Sequence, residues 1–594
     1  MVRLSALLFT ALAGCAVQEE RAAPAAPDPA TVRATTSGAV VGTAGRHGGH
    51  AWLGIPYAAA PIGDRRWRAP EPSAAWAGTR EATRVGAPCA QLARPFGGIE
   101  DVAAGRPAGS EDCLFLNVWA PDAAASARLP VMLWIHGGGN SVGHGGFYDG
   151  SGLATAGNVI VVTVNYRLRP FGWFRHAALR NEATTDAERS GDFATLDMLR
   201  ALAWVRDNAA AFGGDPGNVT IFGESAGGTN VVTLLVSPLA RGLFHRAIVE
   251  SAGLRTTSVD EAEHARDDPV PGHRHSSTEL LLALLEDDGL APDRAGAKVR
   301  LAAMTPADVR RYLRSKTTAE ILAVAAPGNY GGMLDVPTVF RDGAVLPLDP
   351  PFDVLGQPGR YSAVPIVLGT NRDEMKLFLF TNPAFVRRWF GIFPVVRDRT
   401  RYDVAADYGS RMWAAGAVTE PAMRLVHAPG QRVWAYRFDW DEEPRLLGAD
   451  LPGLLGAAHG FEIPFVFGHF DLGRDANRLW TRTNEPGRLA LSAAMASYWA
   501  AFATSGDPSQ GRHAELPRWQ PWDDGILVLD TPAGGGMRMS SDVVTGAGVV
   551  RQLEADPRLP GRRAQCRTLA GLARFGAAYS RAEYARDCPD VALE

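Results

Sequence analysis

Residues 129–135 read LPVMLWI, a run without a charged or amide side chain, and it ends in His136-Gly137-Gly138-Gly139. A strand with one face in water alternates apolar and polar residues. One that is apolar at every position is covered on both faces, as inside a parallel sheet. VIVVTVNYRL from Val159 is a second such run, and VTIF from Val219, HRAIVES from His245, PIVLGTN from Pro365 and RVWAYRFDW from Arg432 supply further strands. Between Asp192 and Phe212 apolar residues recur at helical spacing (Leu196, Leu199, Leu202, Val205), and Gly213-Gly214-Asp215-Pro216 stops that helix. Strands alternating with helices predict the α/β class, with a large, mostly parallel central sheet flanked by helices. The stretch from Val259 to Val336 is more charged and reads as inserted helices. Within it HARDDPVPGHRHSS, from His264, predicts an exposed loop, so His273 and His275 are expected in solvent rather than on a metal. After LVLDTP, from Leu527, strand character is lost and the chain closes with a helical tail. A chain of 594 residues has room for several domains at ~100–200 residues each, yet no repeat or linker marks a second boundary. Residues 37–555 are therefore expected as one domain and 556–594 as a helical extension.

With 46% hydrophobic and 21% charged residues, the composition is globular rather than disordered, collagenous or multi-span. The 60 Lys and Arg against 64 Asp and Glu give a net charge of -4, without the cationic excess that neutralising nucleic-acid phosphates requires. The N-terminus, MVRLSALLFTALAGCAVQ, has Arg3 and then an apolar run from Leu4 to Leu12. That run is too short to cross ~30 Å of hydrocarbon but suits a secretory signal. Leu12-Ala13-Gly14-Cys15 resembles a bacterial lipobox, which implies that residues 1–14 are a signal peptide and that Cys15 is lipidated. Several acyl chains then tie the exported protein stably to a membrane of the cell envelope. Ala16, in place of the Asp that by the same resemblance retains lipoproteins at the inner membrane, favours the outer one. The Pro- and Ala-rich stretch Glu19 to Val32 reads as an extended tether, so residues 15–36 are expected to link lipid and domain. The other four of the five cysteines can pair in three ways. Export favours local pairing, Cys89 with Cys113 and Cys566 with Cys588. Neither couple has the close spacing of a structural zinc site.

Gly223-Glu224-Ser225-Ala226-Gly227 has the form G-x-S-x-G and stands between a strand and a helix. Small residues two before and two after the serine permit the strained turn that lifts its hydroxyl above the sheet edge. A serine hydroxyl needs a base and donors for a developing oxyanion. The glycines after His136 let backbone approach a substrate carbonyl with no Cβ in the way, so the N–H groups of Gly138, Gly139 and Ala226 are the candidate oxyanion hole. His136 itself is expected to shape that loop.

Those motifs are joined by GIPYAAAP, SEDCLFLNVWAP, NYRLRPFGW, GTNRDEMKLF, AAHGFEIPFVFG, YWAAFATSGDP and WQPWDD. In this order, from about Gly38 to Asp530, the chain resembles the type-B carboxylesterase/lipase family, the cholinesterase-like branch of the α/β-hydrolases. The resemblance implies hydrolysis of a small-molecule carboxylic ester with no metal or organic cofactor. It assigns the acid to Glu374 of Asn371-Arg372-Asp373-Glu374, over its rival Asp373, and the base to His459 of His459-Gly460-Phe461-Glu462. The order Ser225, Glu374, His459 is the one this fold uses. An ordinary imidazole in that role gives loss of activity below about pH 6. The resemblance also implies the Cys89–Cys113 disulfide, a water-orienting or structural carboxylate at Glu224, and a supporting position for Ser251. Two departures bear on substrate preference: Asn140 replaces an aromatic residue after the glycines, giving a more polar wall, and Met375 follows the acid where glycine is common. Relatives that bind partners without catalysis, and lipases, amidases or polyester hydrolases with the same residues, are the alternative readings.

Overall fold

The computed structural model of the chain describes residues 26–591, except 124–125, 326–332, 390–392, 447, 472, 474–475, 524 and 576–577. The expected signal peptide and Cys15 lie outside these residues. A central sheet has eleven strands: β1 (Thr43–Ala44), β2 (His50–Pro56), β3 (Phe115–Ala120), β4 (Leu129–Ile135), β5 (Ile160–Val164), β6 (Gly214–Glu224), β7 (Arg246–Glu250), β8 (Ile366–Asn371), β9 (Val433–Phe438), β10 (Ile526–Leu529) and β11 (Arg538–Ser540). They lie in the order β11-β10-β9-β8-β7-β6-β4-β5-β3-β2-β1. Strands β4 to β10 are mutually parallel, and antiparallel pairs finish both edges.

All seven residues of β4 are buried. Val131, Leu133 and Ile135 enter the core on one side of the sheet, while Met132 and Trp134 enter the core on the other. Each large apolar side chain so buried contributes roughly 1.5–3 kcal/mol, and a helical layer covers each face. The helices that matter below are α1 (Phe193–Asn208), α2 (Ala226–Val236), α3 (Met375–Thr381), α4 (Arg399–Ala414), α5 (Glu485–Ser505), α6 (Gly546–Glu554), α7 (Arg562–Phe575) and α8 (Arg581–Asp587). The inserted helices Ser277–Asp287, Arg294–Ala302, Pro306–Ser315 and Thr318–Val324 begin at Ser276, Asp293, Thr305 and Thr317, whose side chains accept from backbone N–H groups of the first turn.

Several expectations are corrected. Strand β6 starts at Gly214, ahead of Val219, with a register shift against β4 between the two. The chain makes one more strand after Leu527, β11, antiparallel to β10. The tether expected to reach residue 36 stops earlier, because the Asp28 N–H donates to Gly42 O (2.9 Å) and Thr31 is fully buried. Arg33–Thr35 then pairs with Gly38–Val41. Both cysteine couples are disulfide-bonded, Cys89–Cys113 and Cys566–Cys588. The second bond ties α7 to the end of α8, the two helices of the expected helical tail. Val549 and Leu553 of α6 and Leu569 and Leu572 of α7 pack on Val404, Tyr408 and Met412 of α4. Among the described residues no helix is long and apolar enough to cross a membrane.

Candidate active site

Ser225 is the single residue between the end of β6 and the start of α2, at φ 57° and ψ -121°. That conformation costs a non-glycine residue of order 1–3 kcal/mol, and its surroundings hold it. The Ser225 N–H donates to Glu250 O at the end of β7 (2.9 Å), and its carbonyl accepts from Thr229 N one turn into α2 (2.9 Å). The turn needs Gly227, where a Cβ would lie 1.9 Å from Ile135 O. Ser225 itself remains half-buried and reachable.

His459 is brought to this turn by the loop before the short helix Ile463–Phe467. Its Nδ1 lies 2.5 Å from Glu374 Oε2. The other Glu374 oxygen accepts from Thr370 Oγ1 (2.9 Å) and Asn371 N (2.7 Å), which fixes the carboxylate at the end of β8. Asp373 points elsewhere, paired with Lys376 (3.0 Å) and Arg372 (2.9 Å). The His459 Nε2 lies 3.1 Å from Glu224 Oε1. Two unprotonated acceptors at that separation repel, so one proton resides between them. No hydrogen bond joins Ser225 Oγ to His459 among the described residues. Such contacts are often long in unliganded enzymes and tighten with substrate.

Behind this pair, Glu462 accepts from Asn371 Nδ2 (2.5 Å) and Ser251 Oγ (3.2 Å), and Glu250 accepts from Trp499 Nε1 (2.8 Å). Three buried carboxyl groups, Glu224, Glu374 and Glu462, thus act on one buried imidazole, and a fourth, Glu250, is buried near Glu462 and Glu224. Burial alone pulls the His459 pKa down, but the charges of Glu224 and Glu374 and the hydrogen bond that His459 Nδ1 donates to Glu374 hold it up, at about 9. Glu224 is pushed up by its own burial and by repulsion from Glu462 and Glu374, against the pull of His459.

The glycine loop turns at Gly138 (φ 88°) and Gly139 (φ 62°) and is closed by Ser141 N–H and Val142 N–H donating to Gly138 O (3.0 and 3.1 Å). The N–H groups of Gly138, Gly139 and Ala226 have no acceptor among the described residues. His136 is buried and stacked on Tyr166 (4.5 Å between ring centres), and burial takes its pKa down to about 3, so it packs the loop as a neutral ring. Asn140 does not line a polar wall. It is buried, and its Oδ1 accepts from Asn230 Nδ2 (2.9 Å) and Tyr166 Oη (3.3 Å). The sulfur packed on Gly139 belongs to Met333.

His273 and His275, expected in solvent, lie only partly exposed on either side of Asp335, at 3.6 and 3.7 Å. Arg274 pairs with the same carboxylate, so the loop is pinned by a charge cluster that no local sequence signal announces. Among the described residues no three His, Cys, Asp or Glu side chains are placed to hold a metal.

Sequence reasoning assigned no part to Glu462, Glu250 or Trp413. The signal for Glu462 was present, as the last letter of His459-Gly460-Phe461-Glu462. Trp413 had none: it sits on α4, with its ring 4.8 Å from that of His459 and its Nε1 donating to Ser251 O (3.2 Å).

A carboxylesterase family model matches residues 29–388 and 398–534. The para-nitrobenzyl esterase of Bacillus subtilis is 36% identical over 513 residues, which cover 84% of this chain and 94% of that protein. The fumonisin B1 esterase of Sphingopyxis macrogoltabida is 34% identical over 535 residues, 86% of this chain and 88% of that one. A solved PNB esterase superposes with a TM-score of 0.64 at 31% identity, covering 86% of this chain and 97% of the other. With an α/β-hydrolase sheet, a match over most of its length and esterases as its relatives, the chain belongs to the carboxylesterase family, type B.

Proposed function

We propose that the protein hydrolyses carboxylic esters through an acyl intermediate on Ser225, with His459 as base and Glu374 as its orienting acid. The observation that carries the reading is the Glu374–His459 contact (2.5 Å) beside a serine held at positive φ between strand and helix. Ser225 Oγ attacks the ester carbonyl carbon while His459 Nε2, turned from Glu224, takes the hydroxyl proton. The negative charge that forms on the carbonyl oxygen accepts from the N–H groups of Gly138, Gly139 and Ala226. When the bond to the alcohol oxygen breaks, His459 returns the proton to the departing alcohol. Water then attacks the acyl group by the same proton path, releasing the carboxylic acid and restoring Ser225. Glu374 keeps Nδ1 protonated and favours the imidazolium that forms midway. Support comes from esterases among the relatives and from a buried charge cluster that a purely structural turn does not need. The test is hydrolysis of p-nitrophenyl esters of graded chain length by the mature protein and by Ser225→Ala. A fall of about 10³-fold or more is expected in the variant, and equal rates refute the assignment. Strong activity confined to long chains marks a lipase.

For the address, the lipobox supports lipidation of Cys15 and attachment to the outer membrane. Metabolic lipid labelling is expected in the wild type and absent from Cys15→Ser. An unlipidated wild type overturns it.

A further inference from the structure

The loop from Gly138 to Ser141, which offers two of the three candidate oxyanion donors, is held partly from outside. Within it, Gly138 O accepts from Ser141 N and Val142 N, and Gly139 O accepts from Ser141 Oγ (3.2 Å). A serine hydroxyl has a single hydrogen to give. Here it goes to Gly139 O, while the oxygen accepts from Leu334 N (3.1 Å), 193 residues further along the chain. The Leu334 carbonyl is used as well. It accepts from Arg169 Nη1 (2.5 Å), and Arg169 N donates to Asn140 O (2.9 Å). Met333, one residue earlier, packs its sulfur on Gly139. Met333 and Leu334 thus brace the loop through one apolar contact and both backbone groups of Leu334.

Asp335 anchors that brace. Its carboxylate accepts from Arg274 Nε (2.8 Å), with His273 Nε2 and His275 Nδ1 at 3.6 and 3.7 Å. Its carbonyl accepts from His275 Nδ1 (2.7 Å). The loop that supplies these groups is itself fixed: His273 N donates to Glu261 O (2.8 Å), His275 N to His273 Nδ1 (3.1 Å), and Ser276 caps the helix that follows. Burial opposes charge on Asp335, yet the hydrogen bond from Arg274 and the neighbouring His273 and His275 hold its carboxyl below the ordinary range, so it stays ionised. The same charge acts inward. Burial takes the Arg169 pKa down to about 10, and Asp335 is the carboxylate that opposes this. Asp335 therefore supports Leu334 through the chain and Arg169 through its charge.

We propose that Asp335 is a positioning residue for the oxyanion hole: tied to Arg274 and His275, it holds Leu334 where both of its backbone groups fix the loop from Gly138 to Ser141. The inference rests on the esterase reading above and deepens it. Misplacing a reacting geometry by ~1 Å can cost about 10²-fold in rate. Oxyanion donors act on charge that develops after the substrate is bound, so the loss falls on kcat rather than on KM.

The test uses the full chain with Asp335→Asn, Asp335→Glu and Arg274→Gln. The Arg274 side chain is 61% exposed, so its replacement leaves the core intact. On p-nitrophenyl butyrate, Asp335→Asn and Arg274→Gln are each expected to lower kcat by about three- to tenfold with KM within about twofold. The double variant is expected to lose no more than the worse single one, because both substitutions cut the same link, and Asp335→Glu should recover part of the rate. Amide exchange is read on the same proteins. The Ser141 and Val142 amides, bonded to Gly138 O, are expected to exchange faster in Asp335→Asn and Arg274→Gln, while strands β4 to β7 keep their protection. Unchanged kcat in both variants, a loss carried by KM alone, or unchanged exchange at Ser141 and Val142 overturns the proposal. A wild type that hydrolyses no ester refutes the esterase reading instead, and the exchange rates then decide alone whether Asp335 holds the loop.

Discussion

His459 is pulled two ways: its burial disfavours charge, and the carboxyl groups around it favour charge more strongly. In the proposed mechanism only the neutral imidazole can take the Ser225 proton, so activity is expected to rise with pH through the His459 pKa. An isolated imidazole places that rise near pH 6.5, but here it is expected higher, towards the value of about 9 that the neighbouring carboxylates support. Glu224 is the first of these, so Glu224→Gln is expected to move the acid limb of kcat/KM to lower pH. An unmoved limb, read from a pH–rate profile, contradicts the assigned contact. The choice of acid is equally testable. Glu374→Gln leaves a neighbour unable to fix the tautomer and is expected to lower kcat by ~10²–10⁴-fold, whereas Asp373→Asn loses the ion pairs to Arg372 and Lys376 but keeps an amide oxygen that can accept from Ala457 N, and is expected to stay within about threefold. Steady-state rates of the two variants decide it. As candidates, Ser225, Glu374 and His459 were legible in sequence because each sits in a short motif, the first two just beyond a strand end and His459 in the loop before the helix Ile463–Phe467. Glu250 and Trp413 were not, since their parts depend on where β7 and α4 fall in space.

Elements were legible in proportion to how fully they are buried. Strands such as β4 and β5, buried at every position, stood out as unbroken apolar runs. Strands towards the edges did not: β2, next to the edge strand β1, is broken by an irregularity between Trp52 and Ile55, and the edge strand β11 is three residues long and partly exposed. Asn140 misled for a related reason, since position after the glycines does not reveal that the side chain turns inward to Asn230. The C-terminal helices carry the element-scale prediction. Their disulfide spans 22 residues, a closure worth roughly 3 kcal/mol in the chain-entropy account. Cys566→Ser with Cys588→Ser is therefore expected to speed amide exchange in α7 and α8 while strands β4 to β7 keep their protection. Unchanged exchange in α7 shows that packing on α4 alone holds it.

At the scale of the whole molecule, one mixed sheet gathers residues from positions 136 to 462 at the same ends of neighbouring strands. That is how parallel connections place loops along a single edge. Strand β4 delivers the glycine loop, β6 the serine, β7 Glu250 and Ser251, and β8 Glu374, with His459 arriving after β9. The family match and the esterases among its relatives fix the class of reaction, and the covalent step at Ser225 is the central claim. Rapid acid quench of the enzyme during turnover of a p-nitrophenyl ester, followed by peptide mass spectrometry, tests it most directly. The account predicts a mass increase of one acyl group on the peptide containing Ser225, absent in Ser225→Ala together with turnover. Full turnover by Ser225→Ala, or an acyl group found on another residue, contradicts it.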